Sequence, residues 1–149
     1  TLLKTPIIID IGAEAKQRAT HWYNHYTLVD KGFPANARGK INSVQIYAGV
    51  AMTNIDVATF FVVGENRLST RDYENIATVA LGYSEHEVNL DVEEGDYIGI
   101  AINGEGEIDH DAGEATGSWY RSDDSIPCTN VYFSVFADRP MSIHGKGIG

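Results

Sequence analysis

Residues 103–116 read NGEGEIDHDAGEAT and hold the densest set of reactive side chains in the chain. Five carboxylates (Glu105, Glu107, Asp109, Asp111 and Glu114) and the imidazole of His110 lie among Gly104, Gly106 and Gly113. Three chemistries suit such a stretch. Calcium takes about six to eight oxygen ligands, which Asp and Glu supply well. Asp109, Asp111 and Glu114 are the candidate ligands. Two carboxylates facing each other across a cleft hydrolyse glycosidic bonds, at separations that spacing in a loop does not reveal. The third alternative is a solvated loop whose self-repulsion is offset by salt or by a basic neighbour such as Arg121. The calcium motif is incomplete. Asp109 to Gly113 begins like an EF-hand loop, but Glu114 stands where Gly is needed and Tyr120 where a bidentate Glu is needed. Gly104-Glu105-Gly106 before Asp109 has the pattern of a calcium β-helix turn, which works by repetition and here occurs once.

Other reactive residues are scattered. His21 and His25 lie four apart in HWYNH and share a face on a strand or a helix, but zinc needs a third and usually a fourth ligand. His86, His110 and His144 have no ligand-like spacing. Cys128 is the one cysteine, so no disulfide forms within the chain, and a lone Cys reads as a small apolar group. The nucleophile elbow Gly-x-Ser-x-Gly is missing, and GKINS (39–43) lacks the earlier glycine of a phosphate-binding loop. Aromatics form two groups: Trp22, Tyr23 and Tyr26, then Trp119 and Tyr120. Exposed, they would stack on sugar rings; buried, they would pack the core. Trp22, Tyr23, Trp119 and Tyr120 are the candidate ligand-binding residues.

The chain has 149 residues, enough for one domain with a sizeable core. Hydrophobic residues make up 43%, which excludes a disordered chain. Eleven basic residues against 21 acidic give a net charge of −10. Without a basic cluster to neutralise phosphates, nucleic acid is excluded as a partner. No apolar run approaches the ~20 residues of a membrane helix, so no membrane partner is expected.

The elements that must position these residues read as strands. INSVQIYA (41–48) alternates, with Val44, Ile46 and Ala48 on one face and Ser43, Gln45 and Tyr47 on the other. HEVNLDV (86–92) and YIGIAI (97–102) alternate too, around the turn EEGD. IDVATFFVV (55–63) is apolar on both faces and reads as a central strand. PIIIDI (6–11), THWYNHYTLV (20–29), SWYRS (118–122) and NVYFSVFA (130–137) complete the set. RDYENIATVAL (71–81) is ambiguous, because Tyr73, Ile76, Val79 and Ala80 also fit helical spacing; strand and loop are favoured. Roughly eight to ten short strands with turns between them predict an all-β fold. The expectation is a two-sheet antiparallel β-sandwich, jelly-roll-like, in a single domain over 1–149. Residues 1–9 would form an arm, and 141–149 a short strand and Gly-rich tail.

Four stretches together, FPANARGKINSVQIYA (33–48), VATFFVV (57–63), VNLDVEEGDYIGIAI (88–102) and GSWYRSDDSIP (117–127), resemble β-sandwich domains of phage and environmental viral proteins of structural or accessory type. LDVEEGDYIGI also resembles a strand of C1q-like and tumour-necrosis-factor-like jelly rolls. Neither resemblance carries a catalytic residue onto this chain. What the first implies is a non-enzymatic virion protein, a capsid decoration or small tail or fibre component. It would contact itself, as in a trimer, or capsid and tail proteins, with the N-terminal arm adding a strand to a neighbour. The alternative is an extracellular carbohydrate-binding module, with calcium as its one candidate cofactor. A glycan-cleaving enzyme using the acidic stretch is the third.

Overall fold

The computed structural model describes residues 5–21, 25–111, 117–136 and 140–149. Strands among them are β1 (Ile8–Gly12), β2 (Thr20–His21), β3 (Thr27–Asp30), β4 (Gly39–Val50), β5 (Met52–Gly64), β6 (Arg67–Val79) and β7 (Gly82–Val92). Then follow β8 (Tyr97–Ile102), β9 (Glu107–His110), β10 (Ser118–Arg121), β11 (Val131–Tyr132), β12 (Ser134–Phe136) and β13 (Ile143–Ile148). The described residues include no helix. The fold is all-β, with two antiparallel sheets packed together as a β-sandwich, one of them curled nearly into a barrel.

The first sheet runs β1-β13-β4, with β7 on the other side of β4 and β9-β2 continuing past the end of β13. The expected alternation holds. Val44, Ile46 and Ala48 of β4 are buried, as are Val88, Leu90 and Val92 of β7 and Ile98, Ile100 and Ile102 of β8. These residues form the main core between the sheets.

The second sheet runs β11-β6-β5-β8-β3-β10-β12. β5 is apolar on both faces because both are covered. Ile55 and Val57 join the main core, whereas Ala58 and Phe60 join a second core with Leu68, Trp119 and Phe133. NVYFSVFA, one run in the sequence, divides at buried Phe133. Val131 and Tyr132 pair with Leu68 and Arg67 at one edge, and Ser134–Phe136 pair with β10 at the other. One short segment thus bridges both edges and curls the sheet around the second core.

Two readings of the sequence resolve here. The ambiguous 71–81 segment lies in and just beyond β6, which pairs with β5 along nearly its whole length. A partner strand of equal length satisfies the backbone and overrides a weak helical pattern. The Gly-rich end is not a free tail. β13 is an inner strand, hydrogen-bonded to β1 on one side and β4 on the other. Its glycines permit that position: a Cβ on Gly147 would lie 1.8 Å from the Lys40 carbonyl oxygen, and one on Gly145 2.7 Å from Ile11 Cγ2.

Two edges of the first sheet, at β1 and β7, are blunted by side chains. On β1, the Asp10 N–H donates to Asn36 Oδ1 (2.8 Å) and Asn36 Nδ2 donates to the Ile8 carbonyl (2.9 Å). On β7, the Asp91 N–H donates to Asp72 Oδ2 (2.9 Å) and the Asn89 N–H to Glu74 Oε2. Such caps occupy the groups that another strand would use. Residues 8 and 9 of the expected arm pair within their own chain, with Ile148 and Gly147.

Candidate functional site

β9 carries the acidic stretch to the interior edge of the first sheet, where the carboxylates meet a basic residue. Asp109 is only 3% exposed, and its Oδ2 accepts the Arg18 N–H at 2.9 Å. Asp111 Oδ2 pairs with Arg18 Nη1 at 2.8 Å, and its Oδ1 accepts the Ala19 N–H at 3.1 Å. Arg18 also donates from Nε to Ser142 Oγ (2.8 Å) and from Nη2 to the Glu14 carbonyl (2.8 Å). The Ser142 hydroxyl donates in turn to the Lys16 carbonyl at 2.6 Å. The cluster pins residues 14–19 onto β9 and Ser142. Burial raises the Asp111 pKa, but the Ala19 N–H and the Arg18 guanidinium outweigh it and hold the carboxyl below its usual range.

The cation that offsets this stretch is therefore Arg18. Arg121, the expected neighbour, instead pairs with Asp123 (2.9 Å) and donates to the Tyr132 carbonyl. Among the described residues no group of three or more His, Cys, Asp or Glu is arranged to hold a metal ion. Calcium at Asp109 and Asp111 would have to displace an intramolecular guanidinium, while Glu114 lies outside the described residues. Glu107 is paired with His21, and Glu105 is exposed. His25 sits in a left-handed turn (φ 65°) after the chain leaves β2, so the two histidines do not share one continuous strand.

Trp119 is a core residue, contrary to the expectation of a stacking platform. It is 3% exposed, its indole N–H donates to Asn66 Oδ1 (3.0 Å), and Tyr97 meets it edge-on at 4.9 Å. The side chains alternate across β10, so Trp119 enters the second core while half-buried Tyr120 packs against the main one. Trp22 and Tyr23 lie outside the described residues. Cys128 is half-buried with its thiol pKa raised by burial, in keeping with a packing role.

A concave feature among the described residues lies elsewhere, on the outer face of the first sheet. Cross-strand register aligns Gly12 with His144, His144 with Gln45 and Gln45 with Glu85. The neighbouring rows add Asp10 beside Lys146 and Tyr47 beside Tyr83. Above this floor runs a groove of about 530 Å³, walled by Phe33, Tyr83 and Glu14. An adjoining depression of about 360 Å³ continues past Pro34 and Asn36 and shares Asp10, Gly12, Phe33 and His144 with the first. Phe33 is 44% exposed and Tyr83 58%.

The floor is chemically mixed. Gln45 Nε2 donates to Ser43 Oγ (3.0 Å) and Glu85 Oε2 (2.9 Å), whereas its Oε1 is buried without a partner. His144 places Nδ1 3.0 Å from the Gly12 carbonyl and Nε2 3.1 Å from Asp10 Oδ1. Both neighbours are acceptors, so only the protonated ring donates to both. Each polar face was visible in the sequence: Ser43, Gln45 and Tyr47 on one strand, His144 and Lys146 two apart on another. Their adjacency required the strand order.

Phe33 is held by a buried carboxylate. Asp30 Oδ1 accepts the N–H groups of Gly32 (2.9 Å) and Phe33 (3.0 Å), while Oδ2 has no hydrogen-bond partner. Burial raises the Asp30 pKa to about 6, against the lowering pull of those N–H groups and of Arg18. Its unfolded value is 3.8. The folded state therefore binds the proton more tightly, and stability is greatest below the unfolded pKa and falls as pH rises through about 6. The gap corresponds to about 3 kcal/mol. Asp30→Asn keeps the Oδ1 acceptor and removes the charge. It is expected to be more stable than the parent at pH 8 by a free energy approaching that figure, read as a higher melting temperature, and to lose the advantage near pH 4. Parallel thermal melts across this range check the prediction; a constant difference between the two proteins would refute it.

Comparison with protein-family models, with curated proteins and with solved structures finds no match for this chain, so the fold and the groove stand as the grounds for a functional reading.

Proposed function

We propose that this chain is a non-enzymatic carbohydrate-binding module whose ligand lies in the groove on the outer face of the first sheet. The observation that carries the reading is the pairing of exposed aromatic walls, Phe33 and Tyr83, with a polar floor of Gln45, His144, Asp10 and Lys146. Sugar rings present apolar C–H faces to aromatic groups and hydroxyls to mixed donors and acceptors. A concave site with a few fixed polar groups is the usual form of a small-ligand site. Calcium has no part in this reading, because Arg18 already engages Asp109 and Asp111. A glycan array probed with the full chain is the test. Binding that survives a calcium chelator and weakens at least about tenfold in Phe33→Ala or Tyr83→Ala is expected. An array without hits would refute it.

A structural or accessory role on a virus particle is the second reading, favoured by a separate surface. Ile8 and Ile148 are cross-strand partners, both more than half exposed, and Ile7 lies beside them. This apolar corner suits contact with another copy or with a capsid or tail protein. With the β1 edge capped by Asn36, a contact at this corner would be made face-on rather than by strand addition. Light-scattering mass separates the readings. A defined oligomer that Ile8→Lys dissociates would favour the virion role, and a monomer would disfavour self-assembly.

A further inference from the structure

The two depressions beside Phe33 meet along one continuous wall. Asp10, Gly12, Phe33 and His144 belong to both. Each volume, about 530 and 360 Å³, falls in the range of small-ligand sites, roughly 300–1,000 Å³. A compact ligand would fill one and leave the other empty; a linear ligand would run through both. We infer that the groove takes a linear, uncharged oligosaccharide across two adjoining subsites, with the Phe33 ring at their junction. This deepens the carbohydrate reading and rests on it.

Rigidity at the junction supports the assignment. The Phe33 carbonyl accepts the Gly12 N–H at 2.8 Å, and its N–H is held by Asp30. Two residues on, Ala35 exchanges backbone hydrogen bonds with Asp96 and Gly95, and Asn36 bridges Ile8 and Asp10. The backbone of the loop that presents the ring is thus tied to β1, to Asp30 at the end of β3 and to the 93–96 turn. A backbone held in advance leaves only the ring's own rotamers to be fixed when a ligand settles on it. On the far wall of the larger depression, Tyr83 touches one subsite only.

Charge sets the ligand class. Asp10 and Glu14 line the groove, and the molecule carries a net charge of −10. Lys146 lies across from Asp10 and the His144 Nε2 sits 3.1 Å from the Asp10 Oδ1, which leaves no concentrated positive field for a polyanion.

Isothermal titration of the full chain with cello-, xylo-, malto- and chito-oligosaccharides of one to six units, and with heparin oligosaccharides, tests this. In one uncharged series, affinity should rise at least about tenfold between one unit and four and then level off. Phe33→Ala should flatten that length dependence, whereas Tyr83→Ala should weaken all lengths and keep the rise. Equal affinity at every length would overturn the two-subsite inference and leave the carbohydrate reading standing. Preference for heparin would overturn the ligand class. Failure of every chain to bind would remove both the inference and the reading beneath it. Thermal melts of both variants confirm that folding is retained.

Discussion

Removing residues 143–149 is expected to abolish folding. β13 lies inside the first sheet, between β1 and β4, and carries Ile143 into the main core. Its loss would leave β1 without its strand partner and expose the side of β4 that β13 covers. Buried backbone groups without partners cost about 1–3 kcal/mol each. Several of them exceed the ~5–15 kcal/mol by which a domain is usually stable. A single substitution probes the same point. Gly147→Val brings a Cβ within 1.8 Å of the Lys40 carbonyl, so the strands must separate. We expect it to cost about 3 kcal/mol or more, with the lost register as its main cause. Far-UV circular dichroism and urea unfolding check both. A truncated chain that melts like the parent would show that residues 143–149 are dispensable and refute the paired arrangement.

Arg18→Met should be the most damaging substitution outside the cores. The Arg18 side chain is 6% exposed and binds Asp111 and Ser142, beside the buried Asp109. Its loss strips the cation from the partly buried Asp111, while Asp109 keeps the Arg18 backbone N–H, at a cost of about 3 kcal/mol, the low end for breaking a buried pair. For a chain of this length, that lowers the melting temperature on the order of 10 °C. The pH dependence should change with it. Asp111 has a lowered folded pKa, so its stabilising contribution is present above the unfolded value of 3.8 and is lost as pH falls through the folded value. In Arg18→Met that acid-side loss should shrink. Adding Asp111→Asn to Arg18→Met should recover part of the stability. Calcium separates the two accounts of the acidic stretch. If Asp109 and Asp111 are structural pins, millimolar calcium leaves the parent's melt unchanged; a large calcium-dependent rise would refute this assignment.

The strands that could be read in advance are those with one dry face. Val44, Ile46 and Ala48, then Val88, Leu90 and Val92, announce their faces because alternation is a local consequence of the pleat. β5 was legible as a central strand for the complementary reason, having both faces apolar. The 130–137 run was readable as extended, but its division at Phe133 was not, since nothing local signals that its halves serve opposite edges. Residues 141–149 were readable as a short strand, but their glycines suggested a tail, whereas close approach to β4 is what calls for glycine at 147. For the acidic stretch, composition left a cation site, a catalytic pair and a solvated loop offset by salt or a basic neighbour all open. That the cation is Arg18, some ninety residues earlier, follows from the pairing of β2 with β9.

The candidate site divides in the same way. Trp119 and Tyr120 were identified by type, and the sequence could not distinguish a core aromatic from an exposed one. The groove itself was not legible because its residues come from five separate stretches: Asp10, Phe33, Gln45, Tyr83 and the His144–Lys146 pair. By itself the sequence determined the all-β class, the alternating faces and the excess of acid over base, since these depend on side-chain chemistry and the two-residue period. Only the tertiary structure decided strand order, which end lies inside the sheet, and which polar faces meet to form a groove. Those outcomes rest on contacts between residues far apart in the chain, set by the packing of two sheets rather than by any local preference.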